Sequence, residues 1–276
     1  MSLHDQVSQL MRQVADEVVL PNYRCLRQAQ VYEKSPGEVV TSVDLESERR
    51  LAAGLRAALP SARVVGEEAA AADPSLLGGI GEGAVWLIDP LDGTRNYASG
   101  SGPFGMMVAL VIGGITQMGW MLDPRGHRMS FAERGKGAWC GGLRVRCHRP
   151  MRARPVAALG THFLSPARRE QVHAAARPHF ERVPVPMCAA ESYPRLVLGR
   201  DDVLMFQRIL PWDHAAGALF VTEAGGHVSH WDRSPYRVGG DGVGVIAAAT
   251  HDLWDLATGT LAPAALSLAP EIERAA

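Results

Sequence analysis

The stretch Trp86-Leu87-Ile88-Asp89-Pro90-Leu91-Asp92-Gly93-Thr94 reads as a buried strand that ends in two carboxylates, a glycine and a hydroxyl. Ala84 to Ile88 is a short apolar run suited to a strand covered on both faces, so an Asp at its end looks into whatever cleft opens beyond the sheet. Pro90 stiffens the turn. Asp89, Asp92 and the Leu91 carbonyl can then converge on one small volume, offering the hard oxygen donors that magnesium prefers. If a helix begins at Gly93 and Thr94, their N–H groups and the positive end of its dipole suit a phosphate oxygen. Asp-Pro and Asp-Gly are also ordinary turn chemistry, and this stretch alone does not separate the two readings.

Other acidic positions bear on the choice. Arg63-Val64-Val65-Gly66-Glu67-Glu68 is a second strand that ends in acid; Gly66 permits an unusual backbone angle, from which Glu67 reaches the cleft of Asp89. Asp213, in Pro211-Trp212-Asp213-His214-Ala215-Ala216-Gly217, opens a helix whose small residues let it approach neighbouring backbone closely. Asp44 is placed to begin another helix, with Glu46 and Glu48 in its first turn and Leu51, Leu55 and Leu59 on its buried side. Four carboxylates, Glu67, Asp89, Asp92 and Asp213, sharing one crevice would repel one another. Cations would have to neutralise them, and Asp and Glu without His or Cys select magnesium or manganese over zinc.

Around these positions the chain predicts an α+β protein. A helix over Leu3 to Leu20 is stopped by Pro21; after the Lys34 to Asp44 segment come strands at Phe104 to Ile112 and Ile115 to Leu122, joined by Gly113-Gly114. Strands near Met129 and Ala138 complete an antiparallel-rich sheet. After the arginine-bearing linker Arg144 to Arg154, strands and helices alternate as a smaller α/β layer, ending in a helix over His251 to Thr260 and a loosely held tail from Leu261. Two lobes are expected, residues 1–150 with the acidic strand ends and residues 151–276 closing the site with Asp213.

With 47% hydrophobic residues, 21% charged residues and a net charge of −1, the chain is globular and has no global pull toward nucleic acid or membrane. No signal-peptide block or apolar span is evident, so cytoplasm is the expected location. Cys25, Cys140, Cys147 and Cys188 are scattered, which argues against a disulfide scaffold or zinc cluster.

The segments Val39-Val40-Thr41-Ser42-Val43-Asp44, Gly66-Glu67-Glu68, Asp89 to Thr94 and Trp212 to Gly217 together resemble the inositol monophosphatase family of magnesium-dependent, lithium-sensitive phosphatases, in order and spacing. The resemblance implies a layered αβαβα sandwich, shared with fructose-1,6-bisphosphatases, and commonly a homodimer. It implies that Glu67, Asp89 and the Leu91 carbonyl hold one Mg²⁺ and that Asp89, Asp92 and Asp213 hold a second, with a third touching Glu67. It further implies that Gly93 and Thr94 bind the phosphate, and that Glu67 and Thr94, the latter paired with Thr41 or Asp44, orient the attacking water, with Lys34 adding positive potential.

Substrate is less legible. Relatives that act on inositol phosphate carry a glutamate seven residues before the Trp-Asp aspartate; this chain has Phe206. The family's Gly-Ser/Thr-Ala-Ala segment is Met187-Cys188-Ala189-Ala190, followed by Glu191, which is expected to contact the leaving group with Tyr193 or Arg195. Three readings follow. One is a phosphatase of inositol phosphate, histidinol phosphate or a similar alcohol phosphate; another acts on fructose 1,6-bisphosphate or a 3′-phosphonucleotide; the third is a noncatalytic binding or regulatory protein on the same fold.

Overall fold

The computed structural model describes residues 1–27, 30–35 and 38–266, without the side chains of residues 34, 35 and 38, so the expected role of the Lys34 side chain lies outside it. The chain opens with α1 (Leu3–Val14), which continues through a π turn over Ala15–Val19 into α2 (Leu20–Asn22). Pro21 therefore does not stop the helix. It sits in α2 directly after the π turn, and the helical run continues through it to Asn22. Strands β1 (Val31–Ser35) and β2 (Glu38–Thr41) form an antiparallel pair that leads into α3 (Ser42–Ala58).

The larger sheet comprises seven strands in the order β3 (Arg63–Gly66), β4 (Ala84–Asp92), β5 (Gly105–Ile112), β6 (Ile115–Asp123), β7 (Arg128–Glu133), β8 (Gly137–Cys140) and β9 (Leu143–Val145). Only the β3 and β4 pair is parallel, so the sheet is antiparallel-rich as expected. Between β3 and β4 lies α4 (Glu67–Ala72), and between β4 and β5 lies the single turn α5 (Thr94–Ala98). The smaller sheet has the order β11 (Glu181–Val183), β10 (Val156–Gly160), β12 (Val203–Phe206), β14 (Val245–Ala248), β13 (His227–Ser229). Its helices are α6 (Pro166–Ala176), α7 (Ala189–Val197), α8 (Pro211–Glu223) and α9 (His251–Leu266).

The strand period of two separates the cores. Trp86 and Ile88 of β4, with Met106 and Val108 of β5, face α1 and α3. The intervening Val85, Leu87, Met107 and Ala109 face α7 and α8. Those two helices fill the space between the sheets, and α6 and α9 cover the far face of the smaller one through Val172, Ala176, Leu253 and Leu261. The result is a layered αβαβα sandwich. Leu261, Ala262 and Ala265 are buried, so α9 runs past the point where the sequence suggested a loose tail: its apolar face is needed to close the outer layer.

Candidate active site

Strand register brings the first two carboxylates together. In the parallel pair, Val65 lies beside Leu87 and Gly66 beside Ile88, so the next step along both strands sets Glu67 beside Asp89. Both continue the face that looks toward α7 and α8. Asp213 comes from that layer as the third residue of α8, where the helix dipole favours an acid. Carboxylate oxygens of Glu67, Asp89 and Asp213 all lie within 4.8 Å of one another. Asp89 is 2% exposed, and burial, followed by the charges of Glu67, Asp92, Asp213 and Asp44, holds its carboxyl well above the usual range. An all-oxygen donor set whose charges oppose one another in a buried place fits a hard divalent cation.

Asp92 lines the same pocket but stands outside this group of three. The strand does not end at Asp89: β4 runs to Asp92 with an irregularity between the two aspartates. One Asp92 oxygen, Oδ2, accepts the Ala190 N–H at 2.6 Å and so caps α7, while the Cys188 thiol also bonds to its carboxylate. Burial raises the Asp92 carboxyl, and these bonds pull it back. Gly93 takes a left-handed φ of 83°, which suits only glycine at low cost, and a Cβ there would sit 3.0 Å from the Pro103 carbonyl.

Thr94 begins α5, and its hydroxyl lies 3.1 Å from Asp44 Oδ1 and 2.9 Å from the Leu91 carbonyl, with one proton to give to either. Asp44 does not begin its helix. Thr41 is the cap of α3, and Asp44 is the third residue, closing a capping box in which its Oδ2 accepts from the Thr41 hydroxyl at 2.6 Å and the Thr41 N–H at 2.9 Å. Thr94 thus meets Asp44 directly, and Thr41 only through Asp44. Burial pushes the Asp44 carboxyl up to about 6; hydrogen bonds from Thr41 and Thr94 oppose this, and Glu67 adds to it. Deeper on the same helix, Glu48 is buried and accepts the N–H groups of Glu68 and Ala69 at 2.8 and 2.9 Å, capping α4. Gly66 has an ordinary φ of −104°, so it is not there for backbone freedom: a Cβ would lie 2.2 Å from the Glu48 carboxyl carbon.

The expected leaving-group contacts are elsewhere. Glu191 lies off the carboxylate pocket in a separate cavity, bonded to Arg128 at 2.6 Å, because the first turn of α7 turns Ala190 toward Asp92 and Glu191 toward β7. Arg195 is held by Asp201 at 2.7 Å. Tyr193 is fully buried, its ring where a Cβ on Gly217 would be 2.0 Å away, and its hydroxyl is 2.8 Å from His214 Nδ1. His214 Nε2 sits 2.9 Å from the Arg208 carbonyl. Burial lowers the His214 imidazole to about 4, so it stays neutral, accepting from Tyr193 and donating to Arg208.

The pocket itself is a cleft of about 320 Å³. Besides Glu67, Asp89, Asp92, Gly93, Thr94 and Asp213, it is lined by Arg95, His162, Phe163, Phe206 and Arg208. Apart from Phe206, none of these five carried a sequence signal beyond its place: Arg95 directly follows Thr94, and the others fall just past strand ends.

Alternating layers with a carboxylate cluster in the crevice between the sheets define an α+β sandwich of the inositol monophosphatase and fructose-1,6-bisphosphatase type. Extragenic suppressor protein suhB from Bartonella henselae shares this fold, with a TM-score of 0.80 at 23% identity over 95% of this chain and 98% of that one. Nus factor SuhB of Pseudomonas aeruginosa is 32% identical over 231 residues, 80% of this chain and 82% of the relative. A fructose-1,6-bisphosphatase/inositol-1-monophosphatase of Thermotoga maritima is 30% identical over 203 residues, 71% and 74% of the two chains. The model of the inositol monophosphatase family matches residues 3–267, and the chain belongs to that family, which contains phosphatases.

Proposed function

We propose that the protein hydrolyses a small-molecule phosphate monoester with Mg²⁺. The observation that carries this reading is the convergence of Glu67, Asp89 and Asp213 within 4.8 Å beside the Thr94 and Asp44 pair. Glu67, Asp89 and Asp213 would hold the metal, with Asp92 and the Leu91 carbonyl alongside. The bound cation would lower the pKa of a water and stabilise charge on the transferring phosphoryl group. Gly93 and Thr94 would take the phosphate oxygens through backbone N–H groups. The Thr94 hydroxyl would accept a hydrogen bond from the attacking water and pass its own proton toward Asp44, whose raised pKa suits a base working near neutrality. Glu67 would orient the water from the other side. The lobes 1–150 and 151–276 would hold the ester between them, the first supplying the acidic strand ends and the second completing the site with Asp213.

A second reading has its own support: the 32% identity to a Nus factor favours a regulatory protein that keeps the fold and binds a macromolecular partner. Phosphate release from a panel of esters with Mg²⁺, then with added Li⁺, separates the two. Turnover that is lost in Asp89→Asn supports the phosphatase reading, and no release from any ester sinks it. Calorimetric titration of Mg²⁺ into wild type and Asp89→Asn tests the metal without relying on turnover. Among the described residues no helix is long and apolar enough to cross a membrane. A cytoplasmic homodimer is the assembly we adopt with this function, and light scattering on the purified protein checks the dimer.

A further inference from the structure

Of the described residues that line the carboxylate pocket, Met187 alone carries a side chain on a left-handed backbone, at φ 56°. An L side chain is rarely found there, and glycine holds the same conformation without that cost. The neighbouring bonds show what enforces it. Before Met187, the Pro186 carbonyl accepts the Asn96 side-chain N–H of α5 at 3.0 Å. After it, the Cys188 thiol and the Ala190 N–H both bond to the Asp92 carboxylate. Asp92 and Asn96 flank Gly93 and Thr94, so the segment carrying Met187 is tied to both sides of that turn. A Cβ on Gly93 would stand 3.4 Å from the Met187 carbonyl. The Met187 side chain is nevertheless 45% exposed and contributes to none of the three cores. The strain therefore supplies no packing to the fold; it sets a thioether at the edge of the pocket, and strain of this kind gathers at ligand sites.

Met187 is not isolated. β11, β10 and β12 run parallel, and the segments past their carboxyl ends bring Val185 and Met187, Phe163, and Phe206 to one wall of the pocket. This is where open α/β sheets offer ligand sites. Phe163 is 51% exposed although it lines the pocket, and Arg208 already rests over its ring at 5.4 Å. Arg169 bonds to the carbonyls of Thr161, His162 and Leu164, which fixes the turn that carries Phe163. The Phe206 ring is seated on Tyr193 and His214, at 5.5 and 4.9 Å between centroids. Large apolar side chains left open in a crevice indicate something that covers them, and here they stand beside the turn given to the phosphate.

We propose that Met187, with Phe163 and Phe206, is the specificity surface for the alcohol, so that the preferred substrate is a phosphate monoester whose alcohol presents an apolar face, aromatic or alicyclic. This rests on the phosphatase reading and names its substrate class. With the phosphate on Gly93 and Thr94, the group attached to the ester oxygen lies beside Met187. A flexible, polarisable thioether and two aromatic rings cover a carbon surface well, whereas the hydroxyls of a polyol would lose water against them without gaining partners.

The test compares cyclohexyl phosphate with myo-inositol 1-phosphate, the same six-carbon ring without and with hydroxyls, in wild type, Met187→Gly, Met187→Leu and Phe163→Ala. In wild type the KM for cyclohexyl phosphate should be roughly tenfold below that for myo-inositol 1-phosphate, the lower end of what one buried methylene contributes to discrimination. Met187→Gly should cut the ratio of the two kcat/KM values, cyclohexyl over inositol, by about the same factor, with Phe163→Ala acting in the same direction and Met187→Leu keeping most of the ratio. Comparing ratios between variants cancels the difference in leaving-group reactivity. If Met187→Gly lowers both activities in equal proportion, or changes neither, Met187 does not select the alcohol and the proposal is overturned; a lower KM for myo-inositol 1-phosphate in wild type overturns it as well. Should no ester be hydrolysed, the phosphatase reading fails, and the surface is then judged by calorimetric binding of the same two esters with Mg²⁺. Tighter binding of cyclohexyl phosphate that Met187→Gly removes would support it, and equal affinities in wild type would overturn it.

Discussion

Glu67 and Asp89 reach the crevice by strand register, whereas His162, Phe163 and Arg208 reach it on segments that follow β10 and β12. The first half has its positions fixed by backbone pairing and caps: β3 against β4, Asp44 on Thr41, Glu48 on α4. The second is held by side chains bonded to loop carbonyls, Arg169 on three of them and His214 on another. The contrast teaches that like charges demand a backbone that over-determines their placement, while a surface that selects a leaving group can vary with its loops.

The strongest way to break this comparison is Asp89→Asn. It should lower phosphate release by at least about a thousandfold, since it removes a charge on which metal binding depends. It should also raise the melting temperature of the metal-free protein, because one buried like charge is gone. Phosphate assay and calorimetric melts with and without Mg²⁺ check both, and unchanged turnover would dissolve the role given to the first half.

Asp44→Asn sharpens it through pH. A carboxyl raised from its ordinary value to about 6 costs the fold nothing below about pH 4, and the cost grows as pH rises until it is complete above about 6. Metal-free wild type should therefore be less stable than Asp44→Asn at pH 7 by roughly 2 to 3 kcal/mol and equal to it near pH 4. Denaturant unfolding at the two pH values measures this, and phosphate release in the variant should fall by roughly a hundredfold if Asp44 takes the proton.

Gly66→Ala asks whether the capping network sets the register. Its Cβ would collide with the Glu48 carboxyl, so stability should drop by about 1 to 3 kcal/mol, with weaker Mg²⁺ binding, as read by urea unfolding and calorimetry. The smallest effect belongs to Glu191→Gln. Its loss from Arg128 should cost about 1 kcal/mol and leave kcat/KM for phenyl phosphate within about twofold, and a large fall in kcat/KM would return Glu191 to the leaving group.

Much of the first half was legible because its residues are bound to periodic patterns. An apolar strand that stops in acid, twice, announces two carboxylates at one sheet end, and Ala215, Ala216 and Gly217 announce a closely packed helix; Ala216 indeed lies where a Cβ on Gly119 would be 2.7 Å from its Cα. Asp92 was harder, since sequence gives no sign that one of its oxygens would be taken by the Ala190 N–H of α7, 98 positions away. Glu191 misled for a related reason: adjacent helical residues point to different faces, and the choice between Ala190 and Glu191 depends on how α7 is rotated.

The chain by itself fixed which side chains carry negative charge at the ends of β3 and β4 and the start of α8, because hydrophobic periodicity and turn chemistry are local properties. Only the folded molecule decided that Thr94 meets Asp44, that Glu191 faces Arg128, and that Arg95 and Arg208 border one pocket with Phe163. Those relations depend on how separate layers are rotated and spaced against one another, and no interval along the sequence encodes such distances.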